Sequence, residues 1–213
     1  MTWSSPHASV HHQGARLGTA DLAVVLVHGR HQDAQFMLDL VGRLPALPVS
    51  YLALEHPRGQ WYPAGFMAPT ADNQPDLSRA LDAVAECLSW LGGQGYGPER
   101  VVLLGFSQGA CLLAEYVLRR PARYGGLALI IGGAIGPEGT RWDGPADLAG
   151  TPAYLGTSDP DDWVPLTRVR ETAAVLADRG ARVTLEVFPD LGHRVNDAEL
   201  DAVRGLIAEA LPG

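Results

Sequence analysis

The chain has 213 residues, 46% hydrophobic and 19% charged, which is ordinary globular usage and excludes an intrinsically disordered chain. Lys and Arg number 16 against 24 Asp and Glu, so the net charge is −8 with no basic cluster, and no nucleic-acid partner is expected. Two cysteines exclude a disulfide scaffold and a multi-Cys zinc site, and the length suits one domain over 1–213, with about 1–20 a loose N-terminal segment.

Residues 23–27 (AVVLV) form a β-rich apolar run and read as a buried strand ended by His28-Gly29. Residues 33–44 carry apolar side chains at helical spacing until Pro45 and Pro48 stop them. A strand over 49–54 leads into an irregular stretch over 55–73 that is rich in Pro, Gly and aromatics. Residues 75–92 place Leu77, Leu81, Val84, Leu88 and Leu91 on one helical stripe. Residues 101–104 (VVLL) make the clearest buried strand, and a helix over 108–119 follows a turn. Cys87 and Cys111 fall in apolar helical patterns and are expected to be buried free thiols. A strand over 127–131, an irregular stretch over 132–152 and a short strand over 153–155 ending at Gly156 come next. A helix over 166–179, an alternating strand over 182–188 and a helix over 196–211 complete the chain. No basic region followed by an apolar one opens the chain, and no apolar run reaches a membrane-spanning length of about 18 residues. The cytoplasm is therefore the expected location.

This alternation predicts an α/β fold, a mostly parallel central sheet with helices on both faces. Loops after strand C-termini line the crevice of such a sheet, so the stretches 30–36, 55–73 and 132–152 are expected to supply the pocket. Gly105-Phe106-Ser107-Gln108-Gly109 lies between the strand VVLL and the following helix. Strand, G-x-S-x-G and helix in that order form a nucleophile elbow, with Ser107 presented at the sheet edge and the N–H of Gln108 facing a developing oxyanion. The elbow calls for an acid and then a histidine later in the chain. Of seven histidines, only His193 follows it. Asp161 and Asp159 both qualify as the acid, with Asp161 preferred because it stands three residues before Val164-Pro165. Ser107 would be acylated, His193 would move the proton, and the aspartate would orient the imidazole.

These residues resemble the phospholipase/carboxylesterase branch of the α/β-hydrolases, which includes acyl-protein thioesterases. The resemblance rests on Gly-Phe-Ser-Gln-Gly-Ala at 105–110, Val-His-Gly at 27–29, Val164-Pro165 and Gly192-His193. It implies a cofactor-free serine hydrolase acting on small-molecule esters or thioesters, and a pocket built only from the loops named above favours an open site and small to medium acyl groups. The resemblance also puts the second oxyanion N–H on Arg30. The segment Trp61-Tyr62-Pro63 with Phe66 resembles one near the acyl site of bacterial members, so Trp61, Tyr62 and Phe66 are expected in the pocket wall, with His31 at its mouth, while Trp163 beside the acid loop is open to two readings, packing or substrate-binding pocket rim. The chain departs from the thioesterases' His-Gly-Leu-Gly, carrying His28-Gly29-Arg30-His31 instead, and its acid loop is two residues longer. The side chain of Arg30 is open to two readings, a solvated cation or a group that binds an acidic substrate. His28 is expected to hold the oxyanion loop by a hydrogen bond rather than to bind metal. Acyl transfer, perhydrolysis and carbon–carbon bond hydrolysis use the same triad, and a non-catalytic small-molecule-binding protein can share the fold. A homodimer is compatible with the sequence.

Overall fold

The computed structural model describes residues 3–144 and 147–212, organised on a seven-stranded sheet of order β1-β3-β2-β4-β5-β6-β7. The strands are β1 (Ser9–Gly14), β2 (Leu22–Val27), β3 (Val49–Glu55), β4 (Val101–Phe106), β5 (Gly126–Ile130), β6 (Pro152–Asp159) and β7 (Arg182–Pro189). The helices are α1 (Ala34–Gly42), α2 (Asp76–Gly93), α3 (Gln108–Arg119), α4 (Leu166–Asp178) and α5 (Asp197–Ala210). Every strand pairing is parallel except that of β1 with β3.

Strands β2, β4 and β5 are buried along their whole length, which explains their unbroken apolar sequences: both faces are covered. A Cβ on Gly105 would meet Ala110 of α3, and one on Gly126 would meet Leu206 of α5. The register pairs Val102 with Gly126 and Gly105 with Leu129, so the two glycines point to opposite faces, each opened for one helix. The chain goes from β2 to β3 on one side, then crosses back to β4 on the other side of β2. The connections diverge between β2 and β4, and the loops above that point leave a crevice.

Two boundaries differ from the sequence reading. The N-terminal segment, expected to be loose, contains β1, and its residues 9–14 pair with 50–55 of β3. Its mostly exposed, His-rich sequence carries no apolar signature, because backbone pairing against the open edge of β3 holds it there. Strand β6 runs through Gly156 to Asp159, with buried Thr157 and Ser158 paired to Val187 and Phe188. Gly156 is not a strand end. It leaves room for a helix side chain, since a Cβ there would lie 2.5 Å from the Glu199 carboxyl. Cys87 and Cys111 are free and buried. Among the described residues no helix is long and apolar enough to cross a membrane.

Candidate active site

The chain pivots at Ser107 between β4 and α3 with φ 51° and ψ −119°, a conformation that L-residues avoid. The backbone is clamped on both sides. The Ser107 N–H donates to the Ile130 carbonyl at 2.9 Å, and the Ser107 carbonyl accepts from the Cys111 N–H at 3.0 Å. A Cβ on Gly105 would lie 2.6 Å from the Ala110 nitrogen, and one on Gly109 would collide with the Val27 carbonyl. The two glycines let α3 start against β4 and β2, and the tight turn turns the serine hydroxyl out into the crevice.

There Ser107 Oγ lies 2.8 Å from His193 Nε2. His193 Nδ1 lies 3.0 Å from Asp161 Oδ2 and 3.2 Å from Oδ1. The Asp161 side chain is fully buried, and its Oδ1 also accepts from the N–H groups of Trp163 at 2.9 Å and Val164 at 2.8 Å. A carboxylate only accepts, so Nδ1 carries the hydrogen and Nε2 is left to accept from the serine hydroxyl. The loops after β6 and β7 are tied together: the Ser158 hydroxyl accepts from the Gly192 N–H at 2.8 Å and donates to the Pro160 carbonyl at 3.1 Å. Of the two aspartates left open by the sequence, Asp161 reaches His193. Asp159 is still inside β6, exposed, because the strand runs three residues further than its sequence suggested.

The loop after β2 faces the serine. A Cβ on Gly29 would lie 3.2 Å from that of Ser107 and 2.7 Å from Gln32 Oε1, so a larger residue there would crowd the serine and displace the Gln32 side chain. His28 Nε2 accepts from the His56 N–H at 3.3 Å, which leaves Nδ1 to donate to the Gly29 carbonyl at 2.7 Å. Burial lowers the His28 pKa, in keeping with a neutral ring. The next N–H groups are engaged, His31 with the Gly59 carbonyl and Gln32 with the Gly29 carbonyl. That of Arg30 has no acceptor among the described residues. Gln108, as the first residue of α3, has an N–H with no intrahelical acceptor.

A pocket of about 580 Å³ opens beside Ser107, within the size range of small-molecule sites. Tyr62, Phe66, Trp163 and His31 line it, with Pro63, Val164 and Cys111. Trp163 stands at its rim, 73% exposed. Trp61, expected in the wall, is instead completely buried beneath it. Its indole N–H donates to the His28 carbonyl at 2.9 Å, and its ring packs 4.8 Å from that of His28, so it braces the loop after β2 from behind. Residues 132–144 also miss the pocket, contrary to expectation. Buried Arg168 of α4 draws them inward, donating to the carbonyls of Ala134, Gly136 and Pro137. The rim comes instead from Trp163 and Val164 of the acid loop.

Arg30 lines the pocket, and its guanidinium is held against the neighbouring segment. It donates to four oxygens of residues 60–64. No local pattern announces such bonds. Cys111, by contrast, follows Ser107 by four residues, a helical turn that puts both on the pocket side, and that spacing was readable. Burial pushes its thiol up to about 12, so it is neutral at physiological pH.

Residues 44–211 match the phospholipase/carboxylesterase family. A phospholipase/carboxylesterase from Dyadobacter fermentans has a crystal structure that superimposes with a TM-score of 0.90 at 34% identity, covering 96% of this chain and 99% of that one. A probable carboxylesterase from Oryza sativa subsp. japonica is 26% identical over 144 residues, 68% of this chain and 61% of that protein. Acyl-protein thioesterase 1 of Gibberella zeae is 31% identical over 120 residues, 55% of this chain and 51% of that protein. The chain therefore spans about three fifths or less of the length of these two curated relatives. With the family match covering most of its length and a neighbour superimposing over nearly all of it, the chain belongs to the phospholipase/carboxylesterase family of α/β-hydrolases.

Proposed function

We propose that the protein is a serine hydrolase that cleaves carboxylic esters or thioesters of small to medium acyl groups through an acyl-enzyme on Ser107. The observation that carries the reading is the chain of hydrogen bonds from Ser107 Oγ through His193 to the buried Asp161. His193 Nε2 takes the hydroxyl proton as Oγ attacks the acyl carbon. The imidazolium so formed is stabilised by Asp161, and it returns the proton to the departing alkoxide or thiolate. Water then attacks the acyl-enzyme with His193 again as base, releasing the acid and restoring Ser107. The N–H groups of Gln108 and Arg30 receive the oxyanion, each contributing about 2.7–4 kcal/mol to the transition state.

The names of the relatives, carboxylesterases and an acyl-protein thioesterase, support the same class. The pocket, walled by Tyr62 and Phe66, has the capacity for a medium acyl group. The test is hydrolysis of p-nitrophenyl acetate by a Ser107→Ala variant that folds normally. Turnover is expected to fall by about 10⁴-fold or more. A variant that hydrolyses the ester at the wild-type rate overturns the reading. A wild-type protein that neither turns over esters nor reacts with a fluorophosphonate at Ser107 leaves the binding-protein reading in its place.

A further inference from the structure

We propose that Arg30 and Gln108 are positioning residues through their side chains. Both grip the pocket-wall segment 60–64, so the wall holds in register the two N–H groups that these same residues offer to the oxyanion. The inference rests on the reading above that those N–H groups receive it.

From Nη1, Arg30 donates to Gln60 Oε1 at 3.2 Å and to the Pro63 carbonyl at 2.7 Å. From Nη2 it donates to the carbonyls of Tyr62 at 3.1 Å and Ala64 at 2.6 Å. Gln108 Oε1 accepts from the Trp61 N–H at 2.9 Å, and its Nε2 donates to the Tyr62 carbonyl at 2.8 Å. One loop after β2 and one helix start after β4 thus converge on a single carbonyl, that of Tyr62. All four acceptors around the guanidinium are neutral oxygens, so its charge is directed at holding the segment rather than at pairing with an acid.

Geometry explains the choice of side chain. A planar guanidinium reaches several acceptors in one fork, whereas a lysine ammonium with three donors cannot hold the same four oxygens. The loop after β2 has no regular structure of its own to fix the Arg30 N–H. Oxyanion donors act over a window of about 2.7–3.1 Å, so a displacement of a few tenths of an ångström weakens them. The other side of the segment faces the acyl chain through Tyr62 and Pro63. Acyl groups that seat against the wall therefore steady the oxyanion donors, and discrimination among them is expressed in kcat rather than in KM.

The experiment is steady-state kinetics on p-nitrophenyl acetate and butyrate with Arg30→Lys, Gln108→Met and the double variant, alongside thermal melts. Each single variant is expected to lower kcat about 10- to 100-fold with KM within about threefold. The double variant is expected to lose little more than the worse single one, since both act through the one segment 60–64 and share its Tyr62 carbonyl. Full activity in Arg30→Lys overturns the proposal, because charge alone then suffices. So do losses that multiply in the double variant, or a loss that follows the unfolded fraction. If Arg30→Lys melts near the assay temperature, Arg30→Ala assayed well below its own melting point with millimolar guanidinium decides: recovered kcat supports the proposal and no recovery overturns it. Failure of the hydrolase reading is separately visible as a Ser107→Ala variant indistinguishable from the wild type. Failure of this proposal is Ser107-dependent turnover indifferent to Arg30.

Discussion

The Asp161 carboxylate is surrounded by donors. It takes two backbone N–H bonds and the imidazole Nδ1–H with none of its surface in water. An Asn there presents an amide NH₂ to the ring or to the backbone and favours the wrong imidazole tautomer. Asp161→Asn is therefore expected to lower kcat/KM on p-nitrophenyl acetate by about 10⁴-fold, while Asp159→Asn, exposed and not bonded to His193, stays within about twofold. Similar losses in the two variants would remove Asp161 from its assigned place. Ser107 and His193 were legible in the sequence because the elbow is a local motif and only one histidine follows it. The choice between the aspartates was not, since it turned on where β6 ends. That end is set by pairing with β7, where Asp159 stands opposite Pro189, a partner thirty residues away in sequence.

Among the elements, α4 does work that its sequence conceals. Arg168 is 1% exposed and donates at 2.9, 2.7 and 3.1 Å to the carbonyls of Ala134, Gly136 and Pro137, while its Nε pairs with Glu171 at 2.8 Å. Its guanidinium also lies 5.1 Å from the Trp142 ring centre. The irregular stretch after β5 is thus organised by a side chain from the next helix. An Arg168→Met replacement leaves buried carbonyls without donors, at about 1–3 kcal/mol each. A total loss of about 3 kcal/mol or more is expected, read as a fall in melting temperature of about 6–12 °C for a chain of this size. An unchanged melting temperature would show that water or repacking satisfies those carbonyls. The main strands and helices were readable from apolar runs and helical stripes. Strand β1 and the inward path of 132–137 were not, because backbone pairing and a buried guanidinium, rather than an apolar pattern, hold them.

For the molecule as a whole, one buried acid couples folding to pH. Glu199, in the first turn of α5, accepts from the Asn196 N–H at 2.9 Å through Oε2, while its Oε1 is buried without a partner among the described residues. Burial raises its pKa from the ordinary 4.5 to about 7, with nearby Glu186 pushing the same way and the Asn196 N–H opposing. The folded protein therefore holds this proton more tightly than the unfolded chain. The stabilisation is fully present below pH 4.5 and is lost as the pH rises through about 7. At about 1.36 kcal/mol per pH unit this amounts to at most about 3 kcal/mol. Glu199→Gln keeps the neutral form at every pH. Denaturant unfolding at pH 5, 6, 7 and 8 is expected to show the wild type losing stability relative to the variant across that series. Parallel curves would mean that the carboxyl is already ionised in the folded protein at pH 5.

The sequence by itself determined the alternating α/β architecture, the elbow at Ser107 and the histidine that serves it. Those features are encoded locally, in runs of apolar residues and in glycines without which strand, turn and helix could not approach. The tertiary structure alone decided which aspartate faces the imidazole, that Trp61 braces rather than lines the pocket, and that Arg30 turns its charge onto the wall. Each of these is a contact between segments that meet only when the sheet forms, and each depends on strand length and register that side-chain pattern does not carry.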